Sequence, residues 1–302
     1  MKRFILSGTS FLLMTAAIVL SRSTHAGADD ELRSGVIKLY QSLTEDQKKL
    51  AVLDLQDKDR FSEVFPAAKR PGIPYTKLQP EQKAIIEEVV KTMTSEYGAK
   101  RCFEIMKETP EGARYLTFFG EPSKTKPFAW RVGMHHLTLL FADFGSEPAS
   151  EFGPILLGGN PAKSLWEAEE KIALELYASL KPEELRMIQE SAKGVASSSG
   201  AKMGKGGMQI ADLNEKARSL AVSLFAKRID VFSADQRKVI EDIVNREGGA
   251  EKLRLIVWGQ AVKTHLDGGN YHWRIGNDNI LCDWQTVGKN HLHMTLRGRF
   301  KS

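Results

Sequence analysis

The sequence predicts an α+β fold, mostly helical, made of two duplicated units whose terminal β segments can share one antiparallel sheet. Three observations lead there. Helix-start signals recur along the chain, strand-forming residues gather at the end of each half, and the same short landmarks return in the same order in both halves. The expected organisation is a signal peptide over residues 1–26, a first unit over 34–145 and a second over 146–302, packed together as one globular domain.

The helix signals come first. TEDQ at Thr44 to Gln47 has the capping-box pattern, in which the hydroxyl accepts from a backbone N–H three residues on and the glutamine reaches back. Pro80 opens PEQKAIIEEVVKTM, where a missing N–H costs nothing in the first turn. SADQ at Ser233 to Gln236 precedes RKVIEDIV, and both segments carry apolar residues at helical spacing. Extended structure is expected in FAWRVGMHHLTLLFADF and in YHWRIGNDNILCDWQTVGKNHLHMTLRGRF, which are rich in β-branched and aromatic residues. Within the second, TVGKN at Thr286 to Asn290 reads as a hairpin turn joining ILCDWQ to HLHMTLR.

The duplication rests on order. Leu43 after SL, a GI pair at Gly72, Leu78 before a helix, and WRVG at Trp130 to Gly133 are matched by Leu180 after SL, GM at Gly207, Leu213, and WRIG at Trp273 to Gly276. Between the copies, GGNP is a turn leading to a helix that starts near Ser164. KGVASSSGAKMGKGG, Lys193 to Gly207, has the composition of a flexible loop, either plain surface or a cover for a site.

The N-terminus combines Lys2 and Arg3, an apolar run from Phe4 to Leu20 and small residues at Thr24 and Ala26, the layout of a secretory signal peptide. Ser7, Gly8, Thr9 and Ser10 interrupt the apolar run and disfavour a permanent anchor, so export without stable membrane insertion is expected, to a periplasmic or extracellular location. Lys2, Arg3 and Arg22 supply three of the formal +5 charges, leaving about +2 afterwards and removing the main support for a nucleic-acid partner. Cys102 and Cys282 are the only cysteines, so one disulfide is compatible with export without being required.

Four of the histidines fall in two pairs, His135-His136 and His291-His293. On a strand His291 and His293 share a face with Thr295 and Arg297, while Leu292, Met294 and Leu296 take the core face. Two imidazoles at that spacing can close on one metal ion. HLTL at His136 aligns with HMTL at His293, which favours His136 as a third ligand and leaves His135 as a core or supporting histidine. Asp283, on the strand expected to pair with HLHMTLR, is the favoured fourth ligand, with Glu169 and Glu170 as alternatives. Zinc, iron, manganese and copper all suit such a set. Two readings without metal stand beside it: acid–base histidines oriented by Asp283, and histidines that only pack. Arg131, Arg274 and Arg297 either bind an anionic substrate or flank the strands. The sequence contains no phosphate-binding glycine loop, GxSxG or HExxH motif.

The ordered series RPGIPYTKLQPEQ, YLTFFGEP, WRVGMHHLTL, LLGGNPAKSLWEAEEKIALELYASL and YHWRIGNDNILCDWQTVGKNHLHMTL resembles the secreted bacterial family known as domain of unknown function 3500. By that resemblance His135, His136, His291 and His293 match the family's four histidines, Asp283 its acid, Asn290 the asparagine before H-x-H and Arg297 its arginine. Asn290, Arg131 and Arg297 are accordingly the candidate substrate contacts. Met134 replaces a glycine, Leu140 an asparagine, and Asp283-Trp284-Gln285-Thr286-Val287 a more polar run. The resemblance implies secretion and a histidine-rich site but brings no activity. The expectation is thus an exported metal-binding protein, a hydrolase or oxidoreductase acting on a small molecule if catalytic. The alternative is a non-catalytic secreted binding or structural protein.

Overall fold

The computed structural model describes residues 26–62, 70–144, 151–159, 166–191, 203, 206–286 and 291–299. The signal segment and most of Lys193 to Gly207 therefore lie outside the described residues, as do residues 287–290 of the TVGKN turn and Asn160-Pro161 of GGNP.

The first stretch, through residue 159 and so past the expected boundary at 145, contains α1 (Ala26–Gln41), α2 (Glu45–Ala51), β1 (Val52–Leu53), β2 (Ile73–Pro74), α3 (Pro80–Met93), α4 (Glu96–Glu108), β3 (Tyr115–Phe119), β4 (Phe128–Met134), β5 (Leu137–Asp143) and β6 (Glu151–Gly159). The second contains α5 (Glu167–Ser179), α6 (Pro182–Ile188), β7 (Gln189–Ser191), β8 (Met208–Gln209), α7 (Glu215–Ile229), α8 (Ala234–Arg246), β9 (Arg254–Gly259), β10 (Tyr271–Gly276), β11 (Ile280–Thr286) and β12 (Leu292–Arg299). Local signals place several helix starts. Thr44 and Gln47 form the reciprocal capping box of α2, Pro80 opens α3, and the Ser233 hydroxyl accepts from Gln236 N at α8. The helix after GGNP begins at Glu167.

The fold is mixed α/β, and the strands among the described residues form one 12-stranded sheet, ordered β1-β3-β4-β5-β6-β12-β11-β10-β9-β7, with β2 on β3 and β8 on β9. The expectation of a mostly helical protein understates this sheet. YLTFF, EFGPILLGG and RLIVWG, not anticipated as strands, become β3, β6 and β9. Apolar residues run through them almost without alternation, and a short apolar run does not by its period separate strand from helix. EFGPILLGG, which precedes the GGNP turn between the expected copies, is a central strand, paired antiparallel with both β5 and β12.

The cross-strand register sorts the side chains onto two faces. Trp130, Val132, Leu139, Leu157, Met294, Leu296, Trp284, Cys282 and Trp273 point toward the helices and join one core with Val36, Ile86, Val90, Ile105, Leu224 and Ile243. Each fully buried aliphatic side chain there is worth about 1.5–3 kcal/mol of transfer free energy. The other face carries Thr138, Leu156, Gly158, His293, Thr295, Asp283, Gln285, His272 and Arg274. Two small apolar clusters flank these polar groups: Phe119, Ala129 and Leu140 on one side, Met203, Ile256, Trp258 and Leu281 on the other. Both cysteines are free and buried.

Glu170 on α5 ties the end of the sheet to the loop before β10. It accepts from His265 N at 2.6 Å, His265 Nδ1 at 2.9 Å and the Tyr271 hydroxyl at 2.6 Å. Burial alone would raise its pKa, but these donors outweigh burial and hold it below the ordinary value of 4.5. A carboxylate whose folded pKa is depressed stabilises above its unfolded pKa, and that contribution is lost as pH falls through the folded value. Urea unfolding of the wild type should therefore weaken below about pH 4.5, and Glu170→Gln should both cost about 1–3 kcal/mol at pH 7 and flatten that acid loss.

Candidate metal centre

The centre lies at one end of the β6–β12 seam. Met134 pairs with Leu137, so His135 and His136 form the two-residue turn between β4 and β5. This corrects the expectation of extended structure throughout FAWRVGMHHLTLLFADF, which would have put His135 opposite His136 on the face of Leu137 and Leu139. In a turn, adjacent side chains need not point to opposite sides, and the two rings stack with centroids 4.0 Å apart. His291 stands immediately before β12, and His293 on β12 pairs with Gly158 and with Gln285. Gly158 N also donates to His136 O at 2.9 Å, fixing the turn against the seam.

Ligand atoms from His135, His136, His291 and His293 all lie within 4.8 Å of one another. His136 Nε2 and His293 Nε2 each sit 3.0 Å from His291 Nε2, with the His291 ring nearly perpendicular to both. An imidazole nitrogen offers either one N–H or one lone pair. His291 Nε2 therefore cannot serve two close nitrogens equally by hydrogen bonding, whereas a cation accepts lone pairs from all three. Ligand nitrogens about 2.0–2.1 Å from a tetrahedral zinc stand roughly 3.3 Å apart, close to the spacing here.

Burial, followed by the neighbouring histidines, lowers the pKa of His136 and His293 to about 3. Burial also lowers His135, helped by Arg70, and His291, helped by His135. All four rings are thus held in the neutral form that metals bind. His293 is only 9% exposed, while the other three are half-buried, which leaves one side of the group approachable.

Gly158 is the floor of the cluster. A Cβ there would meet Leu292 O at 2.6 Å, His293 Cδ2 at 3.1 Å and His136 Cδ2 at 3.3 Å. The glycine is required by this close approach of backbone and rings.

The remaining candidates stand elsewhere. Asp283 faces the same side of the sheet as His293, opposite Thr295, but its carboxylate accepts from His272 Nε2 at 2.6 Å and from Arg274 Nε and Nη2 at 3.0 Å. It is not among the four groups gathered at the centre. Glu169 is held by Arg101 and Glu170 by His265 and Tyr271. Arg131 donates to the carbonyls of Asp59 and Ser62 and lies over the Phe119 ring. Arg297 is opposite Leu281 on β12, and Asn290 lies outside the described residues. His272, whose ring lies tilted with its centroid 4.5 Å from that of Trp258, is a residue the sequence reading did not single out. Its signal was available, since a β10–β11 hairpin through NDN brings His272 and Arg274 onto the face of Asp283.

Mixed α/β architecture with a four-histidine cluster capable of holding a metal ion defines the class of protein. A family model described as Protein of unknown function (DUF3500) matches residues 26–300, and the chain belongs to that family. No curated protein and no solved structure matches the chain.

Gly158→Ala is expected to leave the far-ultraviolet circular dichroism spectrum in place while weakening zinc binding at least about 10-fold by isothermal titration calorimetry, because the new Cβ would displace the Leu292 backbone between His291 and His293 and press on the His136 and His293 rings.

Proposed function

We propose that this is an exported metal-binding protein in which His135, His136, His291 and His293 hold one divalent transition-metal ion, at a site able to serve as the centre of a small-molecule enzyme. The observation that carries the reading is the convergence of the Nε2 atoms of His136, His291 and His293, with His135 within reach. An all-imidazole donor set suits zinc, copper or iron better than calcium or magnesium, which prefer oxygen; manganese is the least favoured of the four metals considered. A metal held there would supply Lewis acidity, or redox chemistry if the ion is iron or copper.

The chain's own residues do the rest. Gly158 keeps the two rings close, and burial keeps them unprotonated. Partial exposure of His135, His136 and His291 favours an accessible site over a closed structural one. Beside it on the same face, Gln285 stands between His293 and His272 in the cross-strand row. His272 lies beyond it on β10, two strands from β12 and so about 10 Å across the row, and shares its carboxylate partner Asp283, on the intervening β11, with Arg274. That distance suits groups that orient a substrate's far end. The basic and apolar N-terminus supports export, and no helix among the described residues is long and apolar enough to cross a membrane. The sheet order, which runs inward from β3 to β6 and outward from β12 to β9, supports descent from one duplicated unit, with the first copy reaching through β6 rather than ending at residue 145.

Protein expressed with its leader and purified without added chelator should carry about one zinc, iron, manganese or copper per chain by elemental analysis. The double variant His291→Ala/His293→Ala should fall below about a tenth of that while keeping its circular dichroism spectrum. Wild-type protein that holds less than about a tenth of a metal per chain, and does not bind these ions when they are titrated in, would sink the reading.

A further inference from the structure

Arg131, Arg274 and Arg297 were the sequence candidates for holding an anionic substrate, and the fold commits the first two elsewhere: Arg131 to the carbonyls of Asp59 and Ser62, Arg274 to Asp283. Arg297 lies four residues along β12 from His293, about 13 Å away at the rise of a strand. A different arginine stands beside the histidines.

Arg70 begins the segment Arg70-Pro71-Gly72, which leads into β2 and is pinned against β3. The Thr117 hydroxyl donates to Pro71 O at 2.9 Å, and Ile73 and Pro74 pair with Leu116 and Tyr115. Gly72 holds φ at +106°, and a Cβ there would run into Leu116 O and Thr117 Oγ1. Only glycine meets both conditions. Tyr115 in turn lies opposite Gly133 of β4, two residues before His135. The backbone thus fixes Arg70 near the β4–β5 turn, where its guanidinium donates to Ala113 O at 3.2 Å and its charge acts on both Arg131 and His135.

Among the described residues, the charges that act on the four histidine rings are those of the other rings and of Arg70, with no carboxylate among them. Carboxylates farther along serve other cations: Asp59 and Asp57 act on Arg131, and Asp283 on His272 and Arg274. Four neutral imidazoles bring no charge to a divalent ion, and Arg70 adds a further positive one. An anion in the remaining coordination position is therefore favoured over a neutral molecule, and a partly buried cation nearby strengthens that preference. Three of the rings are half-buried, which leaves the position open to solvent. An anion with several oxygens can place one on the ion and keep charge toward the guanidinium, which a halide cannot do.

We propose that the small molecule handled at the histidine centre carries an oxyanion group, a carboxylate or a phosphate, that takes the open position of the ion, and that Arg70 selects it by its charge. This rests on the metal reading given above.

The cobalt(II)-loaded full chain, followed by its visible absorption bands, tests the two separately. Sodium acetate and inorganic phosphate, titrated at constant ionic strength, should shift the bands saturably, and the one that does so at lower concentration identifies the class. Neutral acetamide should bind far more weakly than acetate. Arg70→Gln should take up cobalt as the wild type does while binding the preferred anion about 10-fold more weakly, and Arg70→Lys should recover most of that loss. Should Arg70→Gln fail to fold, Arg70→Lys and the acetate–acetamide comparison on the wild type decide. Bound cobalt whose bands neither anion moves, equal affinity for acetate and acetamide, or a folded Arg70→Gln chain with wild-type anion affinity would overturn this proposal and leave the metal reading standing. Cobalt that does not bind would overturn both.

Discussion

The antiparallel pairing of β6 with β12 is the constraint on which the molecule depends. It joins a strand from the middle of the chain to the last strand in one sheet, with Leu157 opposite Met294, Leu156 opposite Thr295 and Gly158 opposite His293. Slipping this register by one residue would turn Met294 and Leu296 away from the helices and drive His293 and Thr295 into the apolar core. The burial of Leu157, Met294 and Leu296 thus fixes the position of His293 as firmly as any contact made by the imidazole itself. Because Gly158, one residue from the end of the same pairing, hydrogen-bonds the backbone of His136, the β4–β5 turn is brought to the same place.

The two faces of the sheet divide the labour. Toward the helices, the large apolar residues form one continuous core. Toward the other side, small apolar clusters leave room for a row of polar groups running from the histidines through Gln285 to His272, Asp283 and Arg274. Charges in this row are paired across neighbouring strands, with Arg274 meeting Asp283 in two hydrogen bonds. Such pairing avoids the large penalty of an isolated buried charge and holds the side chains in one orientation. Paired strands therefore carry His293 and the groups beside it, and they hold the β4–β5 turn and the start of β12 that bear the other three histidines.

Much of this was legible in the sequence. Thr44-Glu-Asp-Gln and Pro80 mark helix starts because capping acts within a few residues and needs no tertiary partner. Strand alternation assigned His293 and Thr295 to one face and Met294 and Leu296 to the other for the same local reason. The four paired histidines were visible as a group. His135 was misplaced because the strand was continued through a turn that has no Gly, Asn or Pro to announce it. EFGPILLGG was missed as a strand because burial on both faces removes the polar alternation that identifies one.

What the sequence determined by itself, then, were helix starts, the inward and outward faces of the strands flanking the histidines, and the set of groups with metal-binding chemistry. Each is set by interactions between residues a few positions apart. Only the tertiary structure decided which of those groups meet. Asp283, on the right face, was drawn to Arg274 and His272, because β10 offers two donors within hydrogen-bonding reach. The four histidines, separated by about half the chain, meet because a glycine on a third strand, β6, leaves the space into which two of their rings close.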